Sequence, residues 1–113
     1  MIQKFIFCGV MLMTALANAV TAPSVVLVTM KSISFEPKIL QIKTNQSVEW
    51  INKSYTDHSA TSDDASFDTG LIHPEKKSKT VVFSKSGTFK YNCSVHGKAM
   101  KGEIIVTAEE KAH

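Results

Sequence analysis

Arginine is absent from this 113-residue chain: all thirteen of its basic residues are lysine. Bidentate recognition of bases and phosphates favours arginine, so a nucleic-acid partner is not expected. The formal net charge of +3 is too mild for a protein that binds membrane surfaces by charge. No apolar run reaches the roughly 20 residues of a membrane span; the longest, Phe5 to Ala17, is broken by Gly9 and Thr14. Cysteine is nearly absent, with Cys8 and Cys93 alone, and there are four histidines. There is no internal repeat, no low-complexity tract and no linker that would divide a domain. No acid/base pair or nucleophile set suggests an enzyme.

The first residues read as a targeting segment. Lys4 precedes the apolar run, and Ala17-Asn18-Ala19 is an A-x-A cleavage signature, so residues 1–19 are expected to be a signal peptide cut after Ala19. The mature chain, 20–113, would form one domain of 94 residues, enough for a modest core. Cleavage removes Lys4 and no acid, leaving twelve lysines against ten acids, a net charge of +2. Cys8 leaves with the signal. Cys93 is then the lone thiol of an exported, periplasmic protein, in an oxidising setting where a free thiol is a liability. Metal ligation, a reactive nucleophile, an intermolecular disulfide and simple burial are the candidate reasons for it.

Helical periodicity is missing from the mature chain, and short alternating runs take its place. Strands are expected over Val25–Met30, Ile39–Lys43, Val48–Asn52, Thr80–Ser84, Thr88–Cys93 and Glu103–Thr107, with turns at Thr44-Asn45-Gln46 and Lys85-Ser86-Gly87. The polar stretch from Lys53 to Glu75 reads as loops around one or two short edge strands, and Glu109 to His113 as a tail. Many short strands at this spacing predict an all-β sandwich in a single domain.

Cys93, His96 and Met100 stand in a Cys-x2-His-x3-Met pattern. A thiolate, an imidazole and a thioether thus share one short loop. A second histidine at the same end of the sandwich would complete two His and one Cys with a weak axial Met, the donor set of a mononuclear blue-copper centre. Soft sulfur ligands favour Cu(I), and imidazole suits both oxidation states. The distant histidine is His58 or its rival His73. His58 follows the third strand after a short polar loop, whereas His73 sits beside Pro74 in a turn-like stretch; His113 lies in the tail.

From Phe35 to Val106 the chain resembles the small cupredoxins, a family that includes plastocyanin, amicyanin and pseudoazurin. The matching residues are Phe35-x-Pro37, Val48-x-Trp50-x-Asn52, His58, Phe67-Asp68-Thr69-Gly70, Gly87-Thr88-Phe89-x-Tyr91-x-Cys93, and His96 with Met100-Lys101-Gly102. The resemblance implies a Greek-key sandwich with one copper held by His58, Cys93, His96 and Met100 under its loop end. It also implies His96 as the electron port. Two features depart from the family. The His96–Met100 spacing differs from that usual in any of those three groups. Ser59 follows the first histidine where Asn is common, and its hydroxyl can reach Ser94, the residue after Cys93.

The function implied is a soluble, monomeric one-electron carrier serving a redox protein such as a c-type cytochrome or a dehydrogenase. Lys98 and Lys101 beside His96 suggest that this partner is acidic. The alternative is a periplasmic copper chaperone or store without a redox partner. Such sites tend to be Met- or His-rich, and only Met30 and Met100 remain after cleavage. A multicopper enzyme would need more histidines than the chain has.

Overall fold

A computed structural model describes residues 24–109. The expected signal peptide, the start of the mature domain and the tail from 110 to 113 lie outside the described residues. Eight strands follow in chain order: β1 Val25–Met30, β2 Phe35–Glu36, β3 Ile39–Lys43, β4 Gln46–Asn52, β5 Thr61–Ser62, β6 Val81–Phe83, β7 Gly87–Cys93 and β8 Gly97–Thr107. No helix occurs among the described residues.

The strands form two four-stranded sheets, ordered β2-β1-β4-β6 and β3-β8-β7-β5. Each mixes parallel and antiparallel pairing. β1 runs parallel to β4, from Val25 opposite Ser47 to Met30 opposite Asn52. In the second sheet β3 runs parallel to β8, while β7 and β8 form an antiparallel hairpin. The chain crosses repeatedly from one sheet to the other, so the two layers are tied together as a β-sandwich.

Alternation decides which residues face inward. On β4, Val48, Trp50 and Asn52 are buried; on β8, Met100, Gly102, Ile104 and Val106 are. Between the sheets lie Val28, Met30, Phe35, Trp50, Tyr91 and Ile104, all nearly inaccessible to water. Burying each large apolar side chain contributes roughly 1.5–3 kcal/mol. Tyr91 is the centre of this layer. Its ring meets Phe35 edge-on at 4.6 Å and Trp50 at 5.5 Å, and its hydroxyl accepts a hydrogen bond from Trp50 Nε1 at 3.3 Å. Burial pushes the phenol up to about 12. Gly102, directly opposite Tyr91 across the hairpin, is glycine for a steric reason: a Cβ there would lie 2.5 Å from Tyr91 Cζ and Oη.

The strands differ from expectation at their ends. β2 is an additional short strand that pairs with the end of β1. β4 begins at Gln46, because Asn45 takes the left-handed turn conformation alone (φ 73°). The largest difference is β8, which begins at Gly97 and not after Gly102. Gly97 adopts φ 62°, accessible to glycine at little cost, so the hairpin closes immediately after His96 and Met100 lies within the strand.

Candidate metal centre

Three side chains from two separate stretches of the sequence, one around His58 and one from Cys93 to His96, meet at one end of the sandwich. Tyr91 and Cys93 share the inward face of β7, and Cys93, the last residue of that strand, is completely buried. His58 lies in the connection between β4 and β5, also at 0% exposure. His96 lies on the turn from β7 to β8 and is half-buried. One ligand atom from each of the three falls within 4.8 Å of the others.

Local hydrogen bonding explains how a loop holds His58 firmly. Asn52, buried at the end of β4, spends its amide on Thr56 O and Ile72 O, both at 2.8 Å. Its carbonyl accepts from Ser54 N and Ser54 Oγ at 2.9 and 2.7 Å. The 52–56 turn is therefore built around one side chain. His58 and Ile72 then exchange two backbone hydrogen bonds, from His58 N to Ile72 O at 3.2 Å and from Ile72 N to His58 O at 2.7 Å. The same bridge leaves His73 on the outside. Its Nδ1 pairs with Asp57 Oδ1 at 2.8 Å, and it is not among the gathered residues.

Met100 reaches this end through the hairpin register. The ladder pairs Phe89 with Ile104 and Tyr91 with Gly102, so its next inward step would set Cys93 opposite Met100. A bulge at Asn92/Cys93 intervenes, and Cys93 pairs with Gly97 instead. The three residues Lys98, Ala99 and Met100 are accommodated in that offset, and Met100 stays fully buried on the inward face that it shares with Gly102.

Both imidazoles aim the same nitrogen at the same sulfur. His58 Nδ1 and His96 Nδ1 are each 3.6 Å from Cys93 Sγ. Donors 3.6 Å apart can both sit about 2.0–2.3 Å from one ion, at an angle of about 110°. Burial is the main cause that lowers the His58 pKa, followed by the charge of His96; a backbone acceptor of Lys31 and the Asp57 carboxylate oppose them. That Lys31 group favours the charged ring but makes no hydrogen bond, so His58 Nε2 is buried without a partner. The neutral imidazole is the form that ligates a metal. The residues present thus fit a metal with soft and borderline donors. His58, Cys93, His96 and Met100 form a type 1 copper donor set, and copper is the cofactor it suits.

Around the donors, Ser59 Oγ accepts a hydrogen bond from Ser94 N at 2.9 Å and lies 2.9 Å from Ser94 Oγ. Ser59 therefore ties the His58 loop to the Cys93 loop, as its place after His58 suggests. Thr61 and Asp68 extend this contact outward, at 2.9 and 3.0 Å. Neither had a role legible in the sequence: Asp68 stood only within the Phe67-Asp68-Thr69-Gly70 match, and Thr61 had no signal beyond its alternation with Ser59, which is too common to stand out.

Comparison with known proteins agrees with this geometry. The family model described as cupredoxin-like domain matches residues 4–106. Plastocyanin of Scenedesmus fuscus is 30% identical over 86 residues, covering 66% of this chain and 88% of that protein. Among solved structures, a reduced amicyanin variant superposes with a TM-score of 0.67 at 22% identity, over 76% of this chain and 85% of its own. A purple cupredoxin from Nitrosopumilus maritimus gives 0.65 at 21% identity, over 73% of this chain and 99% of its own. At such identities the structural matches speak to the fold.

Proposed function

The chain belongs to the cupredoxin-like family, and on that premise we propose that it is an exported, soluble one-electron carrier. His58, Cys93 and His96 would hold copper, with the Met100 thioether as a weaker fourth donor. The observation that carries this reading is the convergence of two Nδ1 atoms on one buried thiol. Copper supplies the one-electron couple; the protein supplies a fixed set of donors. His58, Cys93 and Met100 are closed to water, and the Asn52 and Ser59 hydrogen bonds hold their loops. Such a site limits reorganisation when the electron arrives or leaves. It suits a trafficking role poorly, because metal exchange needs ligands that an incoming donor can reach.

His96 would be the port. It is the one donor of the four that is not fully buried, and Val95 beside it is exposed. The partner would be an acidic protein such as a c-type cytochrome or a dehydrogenase. Lys31, Lys53 and Lys77 are paired with Glu36, Glu75 and Glu49. Lys38, Lys90, Lys98 and Lys101 form no such pair among the described residues, and together they line a groove of about 470 Å³ with Asp63 and Glu103. Four lysines against two acids leave that flank of the ligand loop positive. Export rests on residues 1–19; no helix of the described residues is long and apolar enough to cross a membrane.

The test is the visible spectrum of the copper-loaded, oxidised protein. An intense thiolate-to-copper band that disappears in Cys93→Ser is expected. A colourless copper form, or a Cys93→Ser protein that keeps the band, would overturn the assignment.

A further inference from the structure

The hydroxyl contact that ties the two ligand loops does not end at Ser59. It continues through Thr61 Oγ1, 2.9 Å from Ser59 Oγ, to Asp68 Oδ1, 3.0 Å from Thr61 Oγ1. Asp68 is held where it can serve. Its Oδ1 also accepts the Gly70 N–H at 2.9 Å, and its backbone forms a β-bridge with Thr61. Four residues thus make one line from the loop that carries Cys93 to an exposed carboxylate.

Counting protons gives the line a direction. A hydroxyl has one proton to give and two lone pairs, whereas a carboxylate only accepts. Thr61 must give its proton to Asp68. Ser59 has a single proton and two acceptors in reach, Thr61 Oγ1 and Ser94 Oγ, both at 2.9 Å. With the Thr61 proton committed to Asp68, the Thr61 oxygen faces Ser59 as an acceptor polarised by the carboxylate, and it takes the Ser59 proton. Ser59 then offers lone pairs to the Ser94 N–H, and its contact with Ser94 Oγ, in which the geometry makes Ser59 the donor, competes with Thr61 for the one Ser59 proton. Donation toward a charge enriches the Ser59 oxygen, because hydrogen bonds in a chain polarise one another. Its bond from Ser94 N–H, at 2.9 Å, is strengthened. Without Asp68 the order reverses: Thr61 can donate to Ser59, and the Ser59 proton turns onto Ser94 Oγ.

We propose that Thr61 and Asp68 are positioning residues for the metal loop, polarising the Ser59 hydroxyl so that it grips the Ser94 N–H beside Cys93. The consequence for the metal follows from the place of that N–H. A peptide hydrogen held on Ser59 is withheld from the thiolate one residue away, and electron density stays on sulfur. A more electron-rich thiolate favours Cu(II). Breaking the line should therefore raise the reduction potential.

The experiment separates the hydrogen-bonded line from the bare charge of Asp68, and its first arm needs no metal. In the copper-free protein, amide hydrogen exchange and the proton shift of Ser94 N–H are followed by NMR in Asp68→Ala, Thr61→Val and Thr61→Ser. Thr61→Val keeps the charge and cuts the line; Thr61→Ser keeps both. Exchange at Ser94 should rise at least threefold in Asp68→Ala and in Thr61→Val, and stay near wild type in Thr61→Ser. In the copper form, the first two should shift the couple about threefold toward Cu(I), or about 30 mV upward. This second arm rests on the proposed copper site; the first does not, so a failed copper site leaves the first arm standing. A Ser94 amide or a potential that responds to Asp68→Ala but not to Thr61→Val would show a through-space charge effect and overturn the proposal. So would no response in either variant.

Discussion

Replacing Gly102 with alanine tests whether the aromatic layer beneath the ligand loop is as tightly closed as it looks. The new methyl would stand 2.5 Å from both Cζ and Oη of Tyr91 and 3.0 Å from Cε1. Ordinary carbon contacts lie near 3.5–4.0 Å, so ring and strand must separate by about 1 Å. The ring has little room to move: Phe35 lies 4.6 Å away on one side, Trp50 donates to its hydroxyl, and it is 1% exposed. Overpacking of this kind costs about 1–3 kcal/mol, and losing the Trp50–Tyr91 hydrogen bond adds about 1 kcal/mol. The total of about 2–4 kcal/mol should lower Tm by at least about 10 °C in a domain of this size. Thermal and denaturant unfolding of the copper-free protein measures it. Gly70→Ala is the control. Nothing lies within 4 Å of its new methyl, so it carries only the strain of φ 72°, about 1 kcal/mol. Adding Tyr91→Phe to Gly102→Ala removes one of the two clashing atoms, and the double variant should lose less than the sum of the singles. Equal stability of Gly102→Ala and wild type, or strict additivity with Tyr91→Phe, would refute the reasoning.

The alkaline limb of stability should carry a Tyr91 signature. Its folded pKa of about 12 lies above the unfolded value near 10, so its contribution is whole below pH 10 and is lost as pH rises toward 12; Tyr91→Phe should flatten that loss in pH-dependent denaturation. Asn52→Ala removes four hydrogen bonds that shape the turn before His58, and should cost about 2–4 kcal/mol and weaken copper retention against a chelator, whereas Glu36→Gln, which disturbs only the exposed pair with Lys31, should leave retention unchanged. Met100→Leu should keep the thiolate colour and raise the potential, and Met100→Gln should lower it; identical voltammograms for the two would remove Met100 from the ligand set. Charge reversal at Lys98 and Lys101 should slow electron exchange with an acidic partner and remove most of its dependence on ionic strength, and a rate that is flat with salt in the unaltered protein would count against that partner.

Where the sequence carried its own periodicity, the strands were legible. Val25–Met30 and Ile39–Lys43 coincide with their expected spans because alternation and β-branching both point the same way. Strand ends were less so, since backbone dihedrals at single residues set them. The start of β8 depended on Gly97 entering the left-handed region, and nothing in Gly-Lys-Ala-Met distinguishes that from a loop. The same limit applies to the two-residue β2, whose pairing with β1 is a tertiary event. Among the donors, Cys93, His96 and Met100 announced themselves by spacing, while His58 against His73 could be decided only by family pattern. The structure supplies the physical ground: the two-way bridge to Ile72 turns His58 inward and His73 out to Asp57.

The bulge at Asn92/Cys93 links that loop spacing to the chemistry. A regular hairpin would lay Cys93 and Met100 side by side as cross-strand neighbours and leave Ser94 to Ala99, with His96 among them, as one long open loop. Shifting the pairing so that Cys93 meets Gly97 frees Lys98, Ala99 and Met100 from that register. His96 is thereby set on the turn, half-exposed, while the thiol and thioether remain inside. The three residues between His96 and Met100 are the length this displaced register requires. Deleting one of them would leave Met100 in phase with Gly102 on β8 but shorten the offset that lets Cys93 meet Gly97, pulling His96 away from its place on the turn. The sequence spacing that departs from the familiar groups is therefore the local solution to one geometric demand: a buried sulfur pair with a histidine between them that reaches the surface.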